Sequence, residues 1–328
     1  MKPVALWTAA LTSVALAACG SGATDRPDAA ARLMLDARPN AVHVGIYLAE
    51  ERGFTDAEGV DLDVEVPGAS TDAVDLLRSN RIQFAVLDLH TLALAREQGR
   101  DLVAVMALVQ RPLTAVLADA AVRSPHELAG KRVGVSGRRS DDAVLDAVVA
   151  GGGGDPATLR RTRIRGDAVR SLLAGKLDAV TASWNVAGVA LTAARPQARV
   201  FRADDYGAPP YPELVLVAKR TTLEDSPSLV QATVTALRRG YREAILGPEE
   251  AVGVLVERVD GLERKPAQAQ LDAVLPAFTG GGNAFGALDL PALAKWSAWE
   301  KRVGITKARP DVAEMFAPRF ARRGVISG

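Results

Sequence analysis

The chain has 328 residues, of which 48% are hydrophobic, 24% charged and 5% aromatic, and 40 basic against 39 acidic residues give a formal net charge of +1. A charge this close to neutral excludes the basic surface with which proteins bind nucleic acid or anionic membranes. Three His residues and one Cys exclude a zinc cluster held by Cys and His and also a disulfide framework.

The first 18 residues have the three-part layout of a secretory signal peptide. Lys2 precedes an apolar run that is too short to span a bilayer as a helix. The run ends in Leu16-Ala17-Ala18-Cys19, which resembles the lipobox of bacterial lipoproteins. The alternative is a plain signal peptide with an incidental Cys. We predict a signal peptide over 1–18, a lipidated Cys19 with a flexible tether over 19–31, and a lipid anchor on the extracytoplasmic face of the cell membrane.

From Arg32 onward, short apolar segments alternate with segments of helical spacing. This alternation predicts an α/β fold whose parallel-rich sheets are covered on both faces. Strands are predicted over 33–36, 61–66, 82–87, 102–109, 131–136, 160–165, 178–182, 199–202 and 211–219, and the chain after 226 is predicted to be mainly helical.

Residues 73–82 and 168–177 repeat the order of a helix, a tight basic turn and a buried strand, at an offset of 95 residues. Chance similarity between two α/β units is the alternative. A true repeat predicts two similar lobes, lobe I over 32–118 plus 213–328 and lobe II over 119–212, joined by a hinge that the chain crosses twice. Because ligands lie beyond the carboxyl ends of parallel strands, the cleft is expected to contain residues that follow the strands: Asp36, Asp88, His90, Ser136, Ser183, Trp184 and Asn185.

The segment Leu35-Asp36-Ala37-Arg38-Pro39-Asn40, followed by His43, Gly45 and Tyr47, resembles the opening of the thiamine-pyrimidine-precursor binding proteins. The likeness continues through Leu128 to Gly134 and Trp184-Asn185. That family, which binds hydroxymethylpyrimidine or formylaminopyrimidine, consists of substrate-binding lipoproteins of ABC importers. The resemblance implies a type II periplasmic-binding-protein fold, a small-molecule ligand, ABC permease subunits as partners and a monomeric state.

Two positions depart from the family pattern. Ala37 stands where the family has an aromatic residue, and Ala187 stands where it has a Glu. In the family these positions stack on the pyrimidine ring and accept hydrogens from its amino group. A thiamine pyrimidine precursor is the preferred ligand. Riboflavin, a sulfonate, and a degenerate surface lipoprotein without a ligand remain alternatives.

Ten residues are candidates for ligand contact, and some of them have a structural alternative. His43 is also suited to capping its helix, Asp36 to accepting backbone N–H groups, and Trp184 to packing at the hinge. Trp296 and Trp299 are expected in the core, and Arg138 to Ser140 in a solvated loop rather than an anion site. The candidates are Asp36, Asn40, His43, Asp88, His90, Ser136, Trp184, Asn185, Tyr206 and Tyr211.

No catalytic motif is present in the sequence: it lacks the G-x-S-x-G elbow, the P-loop and H-E-x-x-H. The resemblance extends to the hydroxymethylpyrimidine phosphate synthases, which depend on a Cys-rich motif and a cofactor Lys. Because the only Cys is Cys19, we predict that the protein is not an enzyme and that it uses no cofactor or metal.

Overall fold

The computed structural model describes residues 28–164, 166–280 and 285–321. The predicted signal peptide, Cys19 and most of the predicted tether lie outside the described residues. Within the described chain, no helix combines the length and the apolar character needed to cross a membrane.

Ten strands are present in the part of the chain that the structure describes. They are β1 Ala29–Met34, β2 Val60–Glu65, β3 Phe84–Asp88, β4 Leu102–Val109, β5 Thr114–Ala118, β6 Arg132–Val135, β7 Arg160–Arg163, β8 Ala179–Ser183, β9 Arg199–Arg202 and β10 Leu214–Lys219. β1 begins inside the segment predicted as tether, because Ala29 to Ala31 pair with Val60 to Leu62 of β2.

Helices connect and cover these strands, and five of the described α-helices begin at aspartates that cap them. Asp72 accepts the backbone N–H of Val74 and Asp75, and Asp88 accepts that of Thr91. The α-helices are α1 Val44–Glu51, α2 Phe54–Ala57, α3 Ala73–Arg78, α4 Leu89–Glu97, α5 Arg139–Gly151, α6 Ala168–Leu173, α7 Val189–Ala194, α8 Arg220–Asp225, α9 Pro227–Leu246, α10 Pro248–Arg258, α11 Arg264–Thr279, α12 Leu290–Arg302 and α13 Val312–Met315. Short 3-10 turns span Ala41–His43, Pro125–Leu128, Pro156–Thr158, Ala203–Tyr206 and Pro318–Phe320, and a π-helical turn spans Trp184–Gly188.

The strands form two five-stranded sheets of matching topology, in the orders β2-β1-β3-β10-β4 and β7-β6-β8-β5-β9. In each sheet the first three strands are parallel and the fourth is antiparallel to its neighbours. The predicted repeat agrees with this arrangement, since β3 and β8 hold equivalent places and follow α3 and α6. The fold is the two-lobed α/β architecture of type II periplasmic binding proteins, as the sequence predicts.

The predicted boundary of lobe I at residue 118 is wrong by about one strand. β5 pairs with β8 and β9, so it belongs to the second sheet. The reason is that a strand buried on both faces has the same continuous apolar pattern in either sheet, so the sequence of β5 does not show to which sheet it belongs. The chain crosses from the first sheet to the second over residues 110–113 and returns over 207–213, ahead of β10.

Alternate residues of the first sheet point to two different helical layers. Leu33, Phe84 and Val103 pack with α1, α9, α10 and α11 on one face. Met34 and Ala104 pack with α3, α4, α12 and α13 on the other. Trp296 and Trp299 lie in this second layer and are buried, as predicted. Burial on both faces explains why these strands are continuously apolar.

Helices α1 and α9 approach each other closely at two glycines. A Cβ added at Gly45 would overlap the ring of Tyr241, and one added at Gly240 would overlap the carbonyl oxygen of Gly45. The Tyr241 hydroxyl donates a 2.6 Å hydrogen bond to the carbonyl of Val42. This contact fixes the segment that carries the first residues of the cleft.

Candidate functional site

A cavity of about 450 Å³ lies between the two lobes. Its walls come from the carboxyl ends of strands in both sheets, where an open α/β sheet places its ligand. The volume is in the range of small-molecule sites. It is lined by Asp36, Ala37, Asn40, Val42, Asp88, Leu113, Thr114, Ser136, Arg138, Asp141, Ile164, Gly166, Ala168, Thr181, Ala182, Ser183, Asn185, Val186, Glu213 and Leu214.

Asp36 and Asn40 line the lobe I wall, as predicted, whereas His43 lies behind them. The backbone N–H of Asn40 donates to His43 Nδ1 at 3.2 Å, and Asn40 Oδ1 accepts the N–H of Val42, which closes a reciprocal cap. His43 Nε2 then donates to Asp36 Oδ1 at 2.8 Å. His43 is completely buried and is absent from the cavity wall, so the structure gives it the capping and positioning role rather than ligand contact.

Asp88 and Ser136 line the cavity from opposite lobes, and Arg138 lies between them. Arg138 Nη2 pairs with Asp141 Oδ1 at 3.1 Å, and its Nη1 lies 3.8 Å from Asp88 Oδ2. The Ser136 hydroxyl donates to Asp141. Arg138 lies in an exposed loop before α5, as predicted, and its guanidinium also reaches across the cleft toward Asp88 of lobe I.

Glu213 is a cavity residue that the sequence analysis did not identify. It is 7% exposed, and its Oε2 accepts the backbone N–H of Leu113 at 2.9 Å. Burial raises the pKa of Glu213 to about 7, with opposing contributions from His90 and a further increase from Asp88. The signal for Glu213 in the sequence is a single carboxylate directly before the apolar segment that forms β10.

His90 and Tyr211 were predicted to contact the ligand, but both lie behind the cavity wall. His90 Nδ1 donates to Glu300 Oε2 at 2.8 Å, and its Nε2 donates to the Tyr211 hydroxyl at 3.1 Å. Burial alone would lower the pKa of His90, but the Glu300 carboxylate raises it to about 9. The Tyr211 ring stacks on Trp299 at 5.7 Å. His90 sits on the first turn of α4, where the side chain points into the helical layer instead of the cleft.

Trp184 and Tyr206 are also absent from the cavity wall, whereas Asn185 lines it. The Trp184 indole N–H donates to the carbonyl of Pro112 at 2.8 Å, and the Arg202 guanidinium lies 3.9 Å from the ring centroid. Trp184 therefore packs against the first interlobe crossing, the alternative that the sequence analysis left open. Tyr206 packs edge-on against the ring of Phe201 at 5.8 Å.

The cavity wall contains no aromatic side chain among the described residues, and Ala37 is part of it. Four carboxyl groups, from Asp36, Asp88, Asp141 and Glu213, face one guanidinium, from Arg138. No group of three or more His, Cys, Asp or Glu side chains within the described ranges is arranged to hold a metal ion. The site is suited to binding a polar ligand through hydrogen bonds and charge.

Comparison with known sequences identifies relatives over most of the chain. The family model described as NMT1/THI5 like matches residues 40–251. A formylaminopyrimidine-binding protein of Halalkalibacterium halodurans is 29% identical over 308 residues, which cover 91% of this chain and 93% of that protein. A 4-amino-5-hydroxymethyl-2-methylpyrimidine phosphate synthase of Legionella pneumophila is 24% identical over 253 residues, covering 75% and 79% of the two chains.

Solved structures share the fold at low sequence identity. The alkanesulfonate-binding protein SsuA from Xanthomonas axonopodis pv. citri, bound to MOPS, superimposes with a TM-score of 0.70 at 18% identity. The match covers 90% of this chain and 99% of that one. At this identity the likeness supports the architecture and says nothing about the ligand.

Proposed function

The chain belongs to the NMT1/THI5-like family, and from this premise we propose that it is the extracytoplasmic solute-binding subunit of an ABC importer. Its two lobes close around a small planar heteroaromatic nutrient, with a thiamine pyrimidine precursor as the preferred ligand. No bond of the ligand is made or broken. The relative that binds formylaminopyrimidine, which aligns with 91% of this chain, supports this choice of ligand.

The observation that carries the proposal is the polar cavity between the lobes. Both lobes contribute hydrogen-bonding groups to this cavity. Asp36 comes from lobe I, Glu213 comes from the return crossing next to lobe I, and Ser183 and Asn185 come from lobe II. A flat ring in the cavity would lie against the aliphatic side chains of the same wall, such as Leu113. Because the walls lie on separate lobes, a bound ligand favours the closed arrangement.

A synthase activity is the alternative that the named relatives raise. The cavity wall contains no Cys and no Lys among the described residues, and the sequence has no Cys beyond Cys19. The described cavity wall therefore lacks the Cys and Lys side chains that nucleophilic or cofactor-linked chemistry of this kind requires. This residue set supports capture of the ligand without turnover.

We expect a thiamine pyrimidine precursor to stabilise the purified full-length chain in detergent. A ligand at a hundred times its dissociation constant raises the free energy of unfolding by about 2.7 kcal/mol, because it binds only the folded state. Thermal unfolding with 4-amino-5-hydroxymethyl-2-methylpyrimidine, riboflavin and an alkanesulfonate measures this directly. A shift with riboflavin or the sulfonate alone would contradict the pyrimidine assignment, and no shift with any solute would contradict the binding function.

The proposal also includes attachment to the membrane through a lipid on Cys19, which presents the cavity to ABC permease subunits. We expect metabolic labelling with a radioactive fatty acid to mark the wild-type chain and to leave Cys19→Ser unmarked, because the thiol is the acceptor of the lipid. Ser13→Ala, a change within the same leader, is the control and retains the label. Labelling of the Cys19→Ser variant would show that the lipid is attached elsewhere, and an unlabelled wild-type chain would show that there is no lipid anchor.

A further inference from the structure

The Asn185 side chain carries an unmet hydrogen-bonding requirement in the cavity wall. Asn185 is 1% exposed, and its Oδ1 has no hydrogen-bond partner within the described chain. Burying an amide oxygen without a partner destabilises a folded protein, and because Asn185 lines the cavity, a bound molecule is placed to supply the partner. An acceptor such as Oδ1 needs an N–H or O–H donor.

The charges of the cavity are also unbalanced. Among the described residues of the cavity wall, four carboxyl groups against one guanidinium leave three negative charges in excess when all are ionised. Arg138 is directed to Asp141 and Asp88. Asp36 and Glu213 therefore have no Arg or Lys within ion-pair distance among the described residues.

The partner of Asp36 does not supply a positive charge. His43 Nδ1 accepts the backbone N–H of Asn40, which leaves the ring proton on Nε2, where it donates to Asp36. An imidazole that accepts at one nitrogen and donates at the other is neutral. His43 therefore adds no positive charge beside the Asp36 carboxyl group at the edge of the cavity.

The described residues of the cavity wall offer no aromatic ring on which a ligand could stack. Ala37 replaces the aromatic residue that the resemblance leads one to expect, and Ala187 replaces the expected Glu. Glu213 brings a carboxyl group to the cavity from the return crossing between the lobes. The selection of a ligand by the cavity then depends on the ligand's charge and on its N–H donors.

We propose, as a refinement that rests on the proposed function, that the cavity selects a cation rich in N–H donors, held between Glu213 and Asn185. An aminopyrimidine protonated on the ring nitrogen next to its amino group has this chemistry, because the amino group and that ring N–H together form an amidinium. Two parallel N–H donors match the two oxygens of a carboxylate and form charge-assisted hydrogen bonds. An alkyl ammonium ion offers the same charge without the planar pair of donors.

The electrostatics of Glu213 are consistent with this assignment. Burial raises the pKa of Glu213 to about 7, so the empty site holds a carboxyl group that is readily protonated near neutral pH. The charged groups that act on it are His90, Asp88 and Arg138. A cation placed against Glu213 favours its ionised form and completes the pairing that the protein alone does not provide.

Titration calorimetry of the full-length chain in detergent at pH 7 tests the proposal. The probes are 4-amino-5-hydroxymethyl-2-methylpyrimidine, the same ring without its amino group, and 1,4-diaminobutane as the alkyl ammonium. We expect the aminopyrimidine to bind about 10- to 100-fold more tightly than the ring without the amino group, since it alone makes the charge-assisted pair. Tighter binding of 1,4-diaminobutane than of either ring would show that the cavity prefers an alkyl ammonium ion. That result would overturn the assignment of a protonated pyrimidine as the cation.

Glu213→Gln is expected to weaken aminopyrimidine binding by about tenfold or more and to leave binding of the ring without the amino group nearly unchanged. Glu257→Gln, a matched change at an exposed residue of α10 outside the cavity, should change neither affinity. Asn185→Ser is a second variant that tests the same pair of donors if Glu213→Gln does not fold.

Equal affinity for the two rings, or an unaltered aminopyrimidine affinity in Glu213→Gln and Asn185→Ser, would overturn the inference while solute binding stands. Binding of none of the probes, or of an alkanesulfonate alone, would overturn the inference together with the pyrimidine-binding function from which it proceeds.

Discussion

Replacing His90 with Leu is expected to lower the free energy of unfolding by about 3–5 kcal/mol at pH 7. His90 is 4% exposed and Glu300 is fully buried, and the two form a 2.8 Å ion pair. Leu preserves most of the volume but leaves the Glu300 carboxylate without its cation in the core. Denaturant unfolding followed by circular dichroism measures the loss.

The same pair predicts a pH dependence with a definite sign. The Glu300 carboxylate raises the pKa of His90 to about 9 in the folded state, against an ordinary value of 6.5. The folded state therefore holds the proton more tightly, and its advantage is complete below pH 6.5 and is lost as the pH rises through 9. A shift of this size corresponds to about 3 kcal/mol, which the wild type should lose over that range and His90→Leu should not.

Two variants separate the ion pair from the packing of the side chain. His90→Leu combined with Glu300→Leu removes both charges and is expected to regain much of the lost stability, since replacing a whole buried pair is often neutral. His126→Leu, at an exposed histidine, should change the free energy of unfolding by less than about 0.5 kcal/mol. Equal losses in the single and double variants would show that packing, not charge, is responsible.

Replacing Gly240 with Ala is expected to cost about 3 kcal/mol or more, because the added methyl group meets backbone atoms that do not rotate away. It would overlap the Gly45 carbonyl oxygen and lie 2.8 Å from Ala49 Cβ. Helices α1 and α9 would have to separate, and the Tyr241 hydrogen bond to Val42 would lengthen. Thermal and denaturant unfolding of the variant measure the cost.

Gly253→Ala is the matched control for Gly240→Ala, because both glycines lie within helices. A Cβ at Gly253 would meet only the guanidinium end of Arg264, at 3.2 Å, and that side chain moves aside easily. We expect this change to be neutral or to stabilise the protein by up to about 1 kcal/mol, the gain in helix propensity of Ala over Gly. Similar losses in both variants would contradict the close-contact explanation.

The two-lobed fold was predictable because its signals are local and repeated. Continuous apolar segments such as 102–109 indicate strands covered on both faces, and the paired segments 73–82 and 168–177 indicate two units of one design. The assignment of β5 was not predictable in this way. Its five apolar or small residues fit the interior of either sheet, and only pairing with β8 and β9 decides the matter.

The candidate site was half predictable for a similar reason. Asp36, Asp88, Ser136 and Asn185 lie at the ends of strands or within two residues after them, and the ends of parallel strands meet at the cleft. His90 also lies two residues after its strand, but it stands inside the first turn of α4, where the helix directs the side chain to the core. Glu213 was missed because a carboxylate that begins a strand usually marks a solvated edge, and its burial depends on the second crossing passing beside the first.

The placement of β5 and β10 has a consequence for the order in which the molecule assembles during synthesis. The second sheet holds all five of its strands once Arg202 has emerged, since they occupy one continuous stretch of chain. The first sheet waits for β10, the strand that joins β4 to β3, and so stays in two unconnected parts until Lys219 follows. Lobe II, which is inserted in the chain, is therefore completed first. Lobe I, which begins the chain, is completed only when β10 pairs with β3 and β4. These are contacts between residues far apart in sequence, and forming them has the greater entropic cost.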